Sequence, residues 1–367
     1  KVNRMTVYIF EMLFVLFAGA LLYSRKVSKK TFLILSFFTM ALILGLRGET
    51  VGEDTAHYID VFEKTKYISW KTIFTSGTDI VYDTIWNVDR SMEVGYVLLN
   101  KIVRIFTSNA QWILVIVAFT TCYLMAKFVY DNCDRVFLPT YIIFCESLYM
   151  QSFNLARQTL AIAIGLQAYT LLKKECRHSN IKAILAIFIA FLFHKSAIVL
   201  LLLVPLWKIK DNRRGIKYII IGSILMPFLT TAIGRFIFVI IPRYAGYFQN
   251  NYWDANVGGV AFLWLIELFM IIYIFKRYQN DDGKEVFIAT ACTAIYISLE
   301  LVGLKFTAFT RITLYFRAFL VFLFPFFQRY LESKSRLVYK SGLILLLSLF
   351  FLRYASTPAR LYYFFWQ

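Results

Sequence analysis

The chain has 367 residues, is 59% hydrophobic and 19% aromatic, and carries 40 lysines and arginines against 22 acidic residues, a net charge of +18. Repeated apolar stretches of roughly 18 to 22 residues exclude a soluble globular protein, because in lipid each must satisfy its own backbone as a helix. The cations lie mostly in short loops between those stretches, which makes them topology signals and sets nucleic-acid binding aside.

The first apolar run, residues 5–23, is followed by its charges, Arg25, Lys26, Lys29 and Lys30. A signal peptide carries its charge before the run, so this one is expected to stay as an anchor. Five basic clusters, at 25–30, 173–182, 208–217, 276–284 and 329–340, are placed in the cytoplasm. The threading then sends 5–23 inward, 31–46 outward, 111–130 inward, 137–150 outward and 155–172 inward. Further on, 219–233 goes out, 261–275 returns, 286–304 goes out, 312–327 returns and 342–352 exits. Residues 47–93 become an extracytoplasmic loop, 234–258 a second extracytoplasmic segment, and both termini lie outside. The expectation is an all-α polytopic membrane protein of about 10–12 transmembrane helices, forming one membrane domain over residues 1–367.

Two segments resist a simple crossing. Residues 95–106 carry Asn100, Lys101 and Arg104 on one helical face, which predicts an amphipathic helix lying on the outer surface. Residues 181–207 are interrupted by His194, Lys195 and Ser196. Each half reaches only ~18–20 Å at 1.5 Å per residue, against a hydrocarbon core of ~30 Å. A re-entrant hairpin with His194 at its tip, or two short crossings, satisfies this spacing.

The same threading leaves Arg47, Arg157, Arg235, Arg243, Lys305 and Arg311 at the outer face, against the positive-inside trend. Arg47 opens a charged, glycine-punctuated stretch that continues through Glu53 and Asp54. Asn154, Arg157 and Gln158 share one helical face above Ala161 and Gly165. Snorkelling to headgroups is the plain alternative for Arg157. Arg311 and Tyr315 stand one turn apart. Arg243, Tyr244 and Tyr247 belong to an aromatic segment that an interfacial belt also explains.

Several outer guanidinium groups suit an oligoanion, since their forks match phosphate oxygens and stay charged. The diphosphate of a lipid-linked sugar is such an anion. His194 reads as a polar cap, a general base or a phosphate contact. Asp54 and Glu53 compete as bases, and Asp54 could instead orient Arg47. Glu146, Glu267 and Glu300 lie within spans, as ion-pair partners for the arginines or as proton-relay groups. The five cysteines show no CxxC pairing and no His at ligand spacing, so neither a metal nor a cofactor is implied.

These residues fall into blocks. Arg47…Gly52-x-Asp54-Thr55-x-x-Tyr58 resembles the hallmark of the EpsG-like branch of Wzy-type bacterial polysaccharide polymerases. Glu93-x-Gly95-Tyr96…Asn100, Arg157-Gln158-x-x-Ala161, Phe193-His194-x-Ser196-Ala197 and Arg311-x-x-x-Tyr315-Phe316 resemble its further blocks, in the family's order. Lys195, next to the histidine, is a departure worth noting. The resemblance implies a metal-independent enzyme of the bacterial cytoplasmic membrane, of the glycosyltransferase-C type. It would build O-antigen, capsule or exopolysaccharide, moving the growing chain from undecaprenyl diphosphate onto a new lipid-linked repeat unit.

On that basis Arg157 and Arg311 would stabilise the leaving diphosphate, and Arg47 or Arg243 would hold its second phosphate. His194 or Asp54 would take the acceptor proton. Gln158, Tyr58, Tyr247 and Tyr315 would line the substrate site, and direct displacement would invert the anomeric centre. A flippase and a chain-length regulator are the partners the family implies. A glycan ligase or a flippase remain the alternatives. A single broken helix with no second copy counts against a transporter.

Overall fold

The computed structural model describes residues 5–77, 79–83, 89–146, 148–210, 212–240, 257–279, 283–304, 308–357 and 361–367. It divides into two compact units, Lys1–Leu200 with Lys340–Gln367, and Leu201–Tyr339.

The first unit begins with α1 (Thr6–Tyr23) and α2 (Lys29–Gly45). The segment expected as a loop then folds into α3 (Thr55–Lys64), a 3₁₀ turn, α4 (Trp70–Thr75) and a hairpin of β1 (Asp79–Asp83) and β2 (Asp89–Glu93). The strands pair antiparallel with Asp79 opposite Glu93. There follow α5 (Val94–Phe106), α6 (Gln111–Asn132), α7 (Phe137–Cys145), α8 (Leu148–Gln151), α9 (Ala156–Lys173) and α10 (Ser179–Phe193). The principal helix packings are α2 on α6, α6 on α9 and α9 on α10. Tyr58, Phe62, Ile73, Met92, Tyr96, Val97, Ile113, Leu114 and Leu160 form one apolar core that ties the cap of α3, α4 and β2 to the membrane helices. Burial of such side chains is worth about 1.5–3 kcal/mol each, so the cap is a fixed part of the unit.

The amphipathic helix is present as α5, but its faces are turned the other way. Asn100 is fully buried. The Lys101 ammonium donates to the Thr65 and Ile68 carbonyls at 3.0 and 2.7 Å, and Arg104 donates to the Phe62 carbonyl at 3.0 Å. The cations thereby satisfy carbonyls left open where α3 and its 3₁₀ turn end. The exposed side of α5 is apolar, with Ile102, Ile105 and Phe106. In lipid that orientation places the polar face inward, against protein.

α10 stops at Phe193, as expected, and His194 is extended at φ −158°. A 3₁₀ segment, Lys195–Leu202, follows.

The second unit holds α11 (Leu203–Lys208), α12 (Asn212–Ile240), α13 (Val257–Arg277), α14 (Gly283–Gly303), α15 (Ala308–Arg317) and α16 (Leu320–Phe327), and α17 (Ser333–Ala355) ends the helical series. α12 and α15 pack on α14, whose apolar length is mostly enclosed. The span expected at 312–327 is broken: the helices on either side of Ala318 and Phe319 bend by 48°. That is a second break, which corrects the expectation of only one.

The chain is an all-α polytopic membrane protein. Among the described residues, Thr6–Tyr23, Gln111–Asn132, Gly283–Gly303 and Ser333–Ala355 are each long and apolar enough to cross, and the bent pair makes a fifth. That is fewer than the about 10–12 expected from apolar runs. Part of the difference is length, since α2 has 17 residues and α10 has 15. Part is polarity: α9 carries Arg157, Gln158 and Gln167, and 13 of its 18 residues are buried, so it presents little surface for lipid to select.

Candidate functional site

Four of the five sequence blocks interlock within the first unit. The glycine of the first block makes the opening move. Gly52 has φ +90°, and a Cβ there would collide with the Phe153 carbonyl, so only glycine lets this turn lie against the α8–α9 connection. The Glu53 N–H donates to Asn154 Oδ1 at 3.2 Å, and the Tyr58 hydroxyl donates to the Asn154 carbonyl at 3.0 Å. The first block and the third, which begins beside Asn154, are thus clasped together.

Arg157 is the second residue of α9, where it is largely buried. Its Nη1 forms an ion pair with Glu93, the last residue of β2. Its guanidinium carbon lies 6.0 Å from the Tyr58 ring and 5.9 Å from the Tyr96 ring. The two rings meet edge to face at 5.7 Å. A guanidinium between two tyrosines is attracted by both ring quadrupoles, which fixes its plane. Its Nε is buried with no partner among the described residues. Burial raises the pKa of both Tyr58 and Tyr96, opposed by the nearby Arg157 charge, so both stay neutral rings. Gln158 is buried beside Arg157.

The fourth block joins through α5. A Cβ on Gly95 would come within 2.7 Å of the Leu192 carbonyl, so the start of α5 abuts the end of α10. His194 caps that end, half-buried, with Nδ1 2.7 Å from Ser196 Oγ. Lys195, the residue that departs from the pattern, pairs with Asp79 of β1. It therefore ties the hairpin to the helix break.

Asp54 precedes α3, half-buried, and its carboxylate makes no capping bond. Its charge adds to the upward shift of the Tyr58 pKa.

Arg47 is in different surroundings. It is 1% exposed, donates from Nη1 to the Leu44 carbonyl at 2.5 Å and from Nε to Thr55 Oγ1 at 3.1 Å, and lies 5.8 Å from the Phe153 ring. Burial pulls its pKa below the ordinary arginine value, and Tyr58, Tyr96, Tyr362 and Tyr8 around it act the other way. Its backbone bridges to Phe364, the Gly48 N–H donates to the Tyr363 carbonyl, and Gln111 donates to the Gly45 and Arg47 carbonyls. The C-terminal segment closes over it. These contacts link α2, α3 and the C-terminal residues through Arg47, whose Nη2 is buried without a partner among the described residues.

The fifth block belongs to the second unit, where Arg311 is exposed on α15 and Tyr315 is fully buried. Thr313 of the same helix donates to Glu300 at 2.6 Å. Arg243, Tyr247 and Lys305, with most of the segment expected at 234–258, lie outside the described residues.

Sequence reasoning missed Glu93 and Tyr96 as members of the cluster and looked to Glu146, Glu267 and Glu300 for the ion pairs. The available signal was Glu93-x-Gly95-Tyr96 itself, an acid and a glycine at the start of a helix. A family profile described as the EpsG family matches residues 30–367, nearly the whole chain. No curated protein and no solved structure matches the chain.

Proposed function

Because the chain belongs to the EpsG family, which points in general to a polysaccharide polymerase, we propose that it is a glycosyltransferase that polymerises undecaprenyl-diphosphate-linked oligosaccharides at the outer face of the bacterial cytoplasmic membrane. The observation that carries the mechanistic part is Arg157, held by Glu93 between Tyr58 and Tyr96. A guanidinium whose ionic partner is a side-chain carboxylate can exchange that partner for a phosphate oxygen. The donor diphosphate replaces Glu93 on Arg157, and the buried Nε offers a second donor direction.

The acceptor hydroxyl oxygen then attacks the donor's anomeric carbon. Its bond to the diphosphate oxygen breaks, and the lipid diphosphate departs with the electron pair. The proton passes to His194 or Asp54. Charge on the leaving diphosphate grows along this path, so a preorganised guanidinium stabilises the transition state more than the ground state. Displacement on one face inverts the anomeric centre. Arg47 is scaffold in this reading. A flippase supplying the repeat units and a chain-length regulator are the partners it requires.

The test is purified protein in nanodiscs with undecaprenyl-diphosphate repeat units and no nucleotide sugar, the products separated on a gel. A ladder spaced by one repeat unit is expected, unchanged by chelator. Transfer of single units to an unrelated acceptor would make the chain a ligase. Intact substrate appearing across the bilayer of proteoliposomes would make it a flippase, the reading that the second helix break favours.

A further inference from the structure

Three basic loops, distant in sequence, meet in the second unit around a polar cavity of about 580 Å³. Arg213 comes from the first turn of α12, Lys276 and Arg277 from the last turn of α13, and Arg329 from the 3₁₀ turn after α16, with Tyr278 and Tyr330 completing the wall. No described residue lining the cavity is acidic, and residues 280–282 lie outside the description.

A topology signal requires only that cations lie in the right loops. It does not require them to converge or to be held in place. Here the Arg277 guanidinium is 4.6 Å from the Tyr273 ring and that of Arg329 is 4.5 Å from the Phe326 ring. Tyr278 is buried and donates to the Gly283 carbonyl at 3.2 Å, which pins the end of α13. The negative end of the α13 dipole offsets some of the repulsion among the four cations. A bound anion would remove the rest.

We propose that this cavity binds the phosphate of an anionic phospholipid headgroup. It lies at the ends of apolar helices, where the rings of Tyr273, Phe326 and Tyr330 mark interfacial depth. Basic pockets between membrane helices, on the side the positive-inside rule calls cytoplasmic, recognise such headgroups by charge and by the phosphate-matching fork of arginine. The proposal uses no residue of the Arg157 cluster and holds whether or not the catalytic reading does.

The test is thermal unfolding of the purified protein in neutral detergent, titrated with phosphatidylglycerol, cardiolipin, phosphatidylcholine or inorganic pyrophosphate. The two anionic lipids are expected to raise Tm saturably, while phosphatidylcholine leaves it unchanged. The double variant Arg277→Gln/Arg329→Gln should weaken the apparent affinity by about tenfold or more. Competition by pyrophosphate supports phosphate recognition, and a shift by pyrophosphate with none by lipid would make free phosphate the source. Equal shifts from neutral and anionic lipid, or undiminished binding by the double variant, would overturn the proposal. Should that variant not fold, wild type in rising salt decides, since an affinity for phosphatidylglycerol indifferent to ionic strength would also overturn it.

Discussion

Arg47 and Arg157 are both arginines enclosed in the first unit, both lie beside aromatic rings, and both belong to the sequence blocks. Their partners differ. Arg47 donates from Nη1 to a backbone carbonyl and from Nε to a threonine hydroxyl under the C-terminal segment, with Nη2 buried and without a partner among the described residues. Arg157 is held by one carboxylate and two ring faces, with 18% of its side chain exposed. A bond to the backbone cannot be given up without opening the fold, whereas a bond to a side-chain carboxylate can be exchanged for another anion. The comparison teaches that, in the proposed reading, an arginine's partner, more than its depth, would separate scaffold from site.

The largest expected effect is at Arg157. Arg157→Lys keeps a positive charge but loses the planar fork and the ring contacts. Turnover in the polymer-ladder assay should fall by ~10²–10³-fold, the usual scale for a lost transition-state donor, with Tm little changed. Wild-type polymer length and rate would remove Arg157 from the leaving-group site. Arg47→Met should do the opposite. Leaving the Leu44 carbonyl and Thr55 without their donor should lower stability by about 1–3 kcal/mol, read as a lower Tm with near wild-type turnover per folded molecule. Unchanged Tm with lost turnover would erase the distinction between the two arginines.

Much of this was legible in the sequence. The helix break at His194 is visible as three polar residues in an apolar run, and the blocks that interlock could be picked out one by one. What local pattern does not contain is partner choice. Glu93 and Arg157 are joined by strand placement and helix packing across a long separation in sequence, which no helical periodicity encodes. The reversed faces of α5 were hidden for a related reason: amphipathicity locates a polar face but does not say whether water or protein covers it. The elements of the cap between α2 and α5 are short and its hairpin mixes charged with apolar residues, so no long periodic run marks them in the sequence. The bend at Ala318 and Phe319 has no glycine or proline to announce it, and Pro325 stands a turn and more beyond.

The smallest effect tests how the guanidinium is held. Tyr58 and Tyr96 contribute similar ring contacts to Arg157, but the Tyr58 hydroxyl also holds the Asn154 carbonyl, so substitution there mixes two roles. Tyr96 gives the cleaner experiment. Tyr96→Phe keeps the ring and should stay within a fewfold of wild-type turnover. Tyr96→Leu removes the quadrupole, and the loss should be about 0.5–2 kcal/mol, or roughly 2- to 30-fold in rate. If Leu and Phe behave alike, the Tyr96 ring is only packing and the orientation of Arg157 rests on Glu93 and Tyr58. A larger loss in Leu than in Phe means that ring faces set the guanidinium plane before substrate arrives, which is the preorganisation that transition-state stabilisation needs.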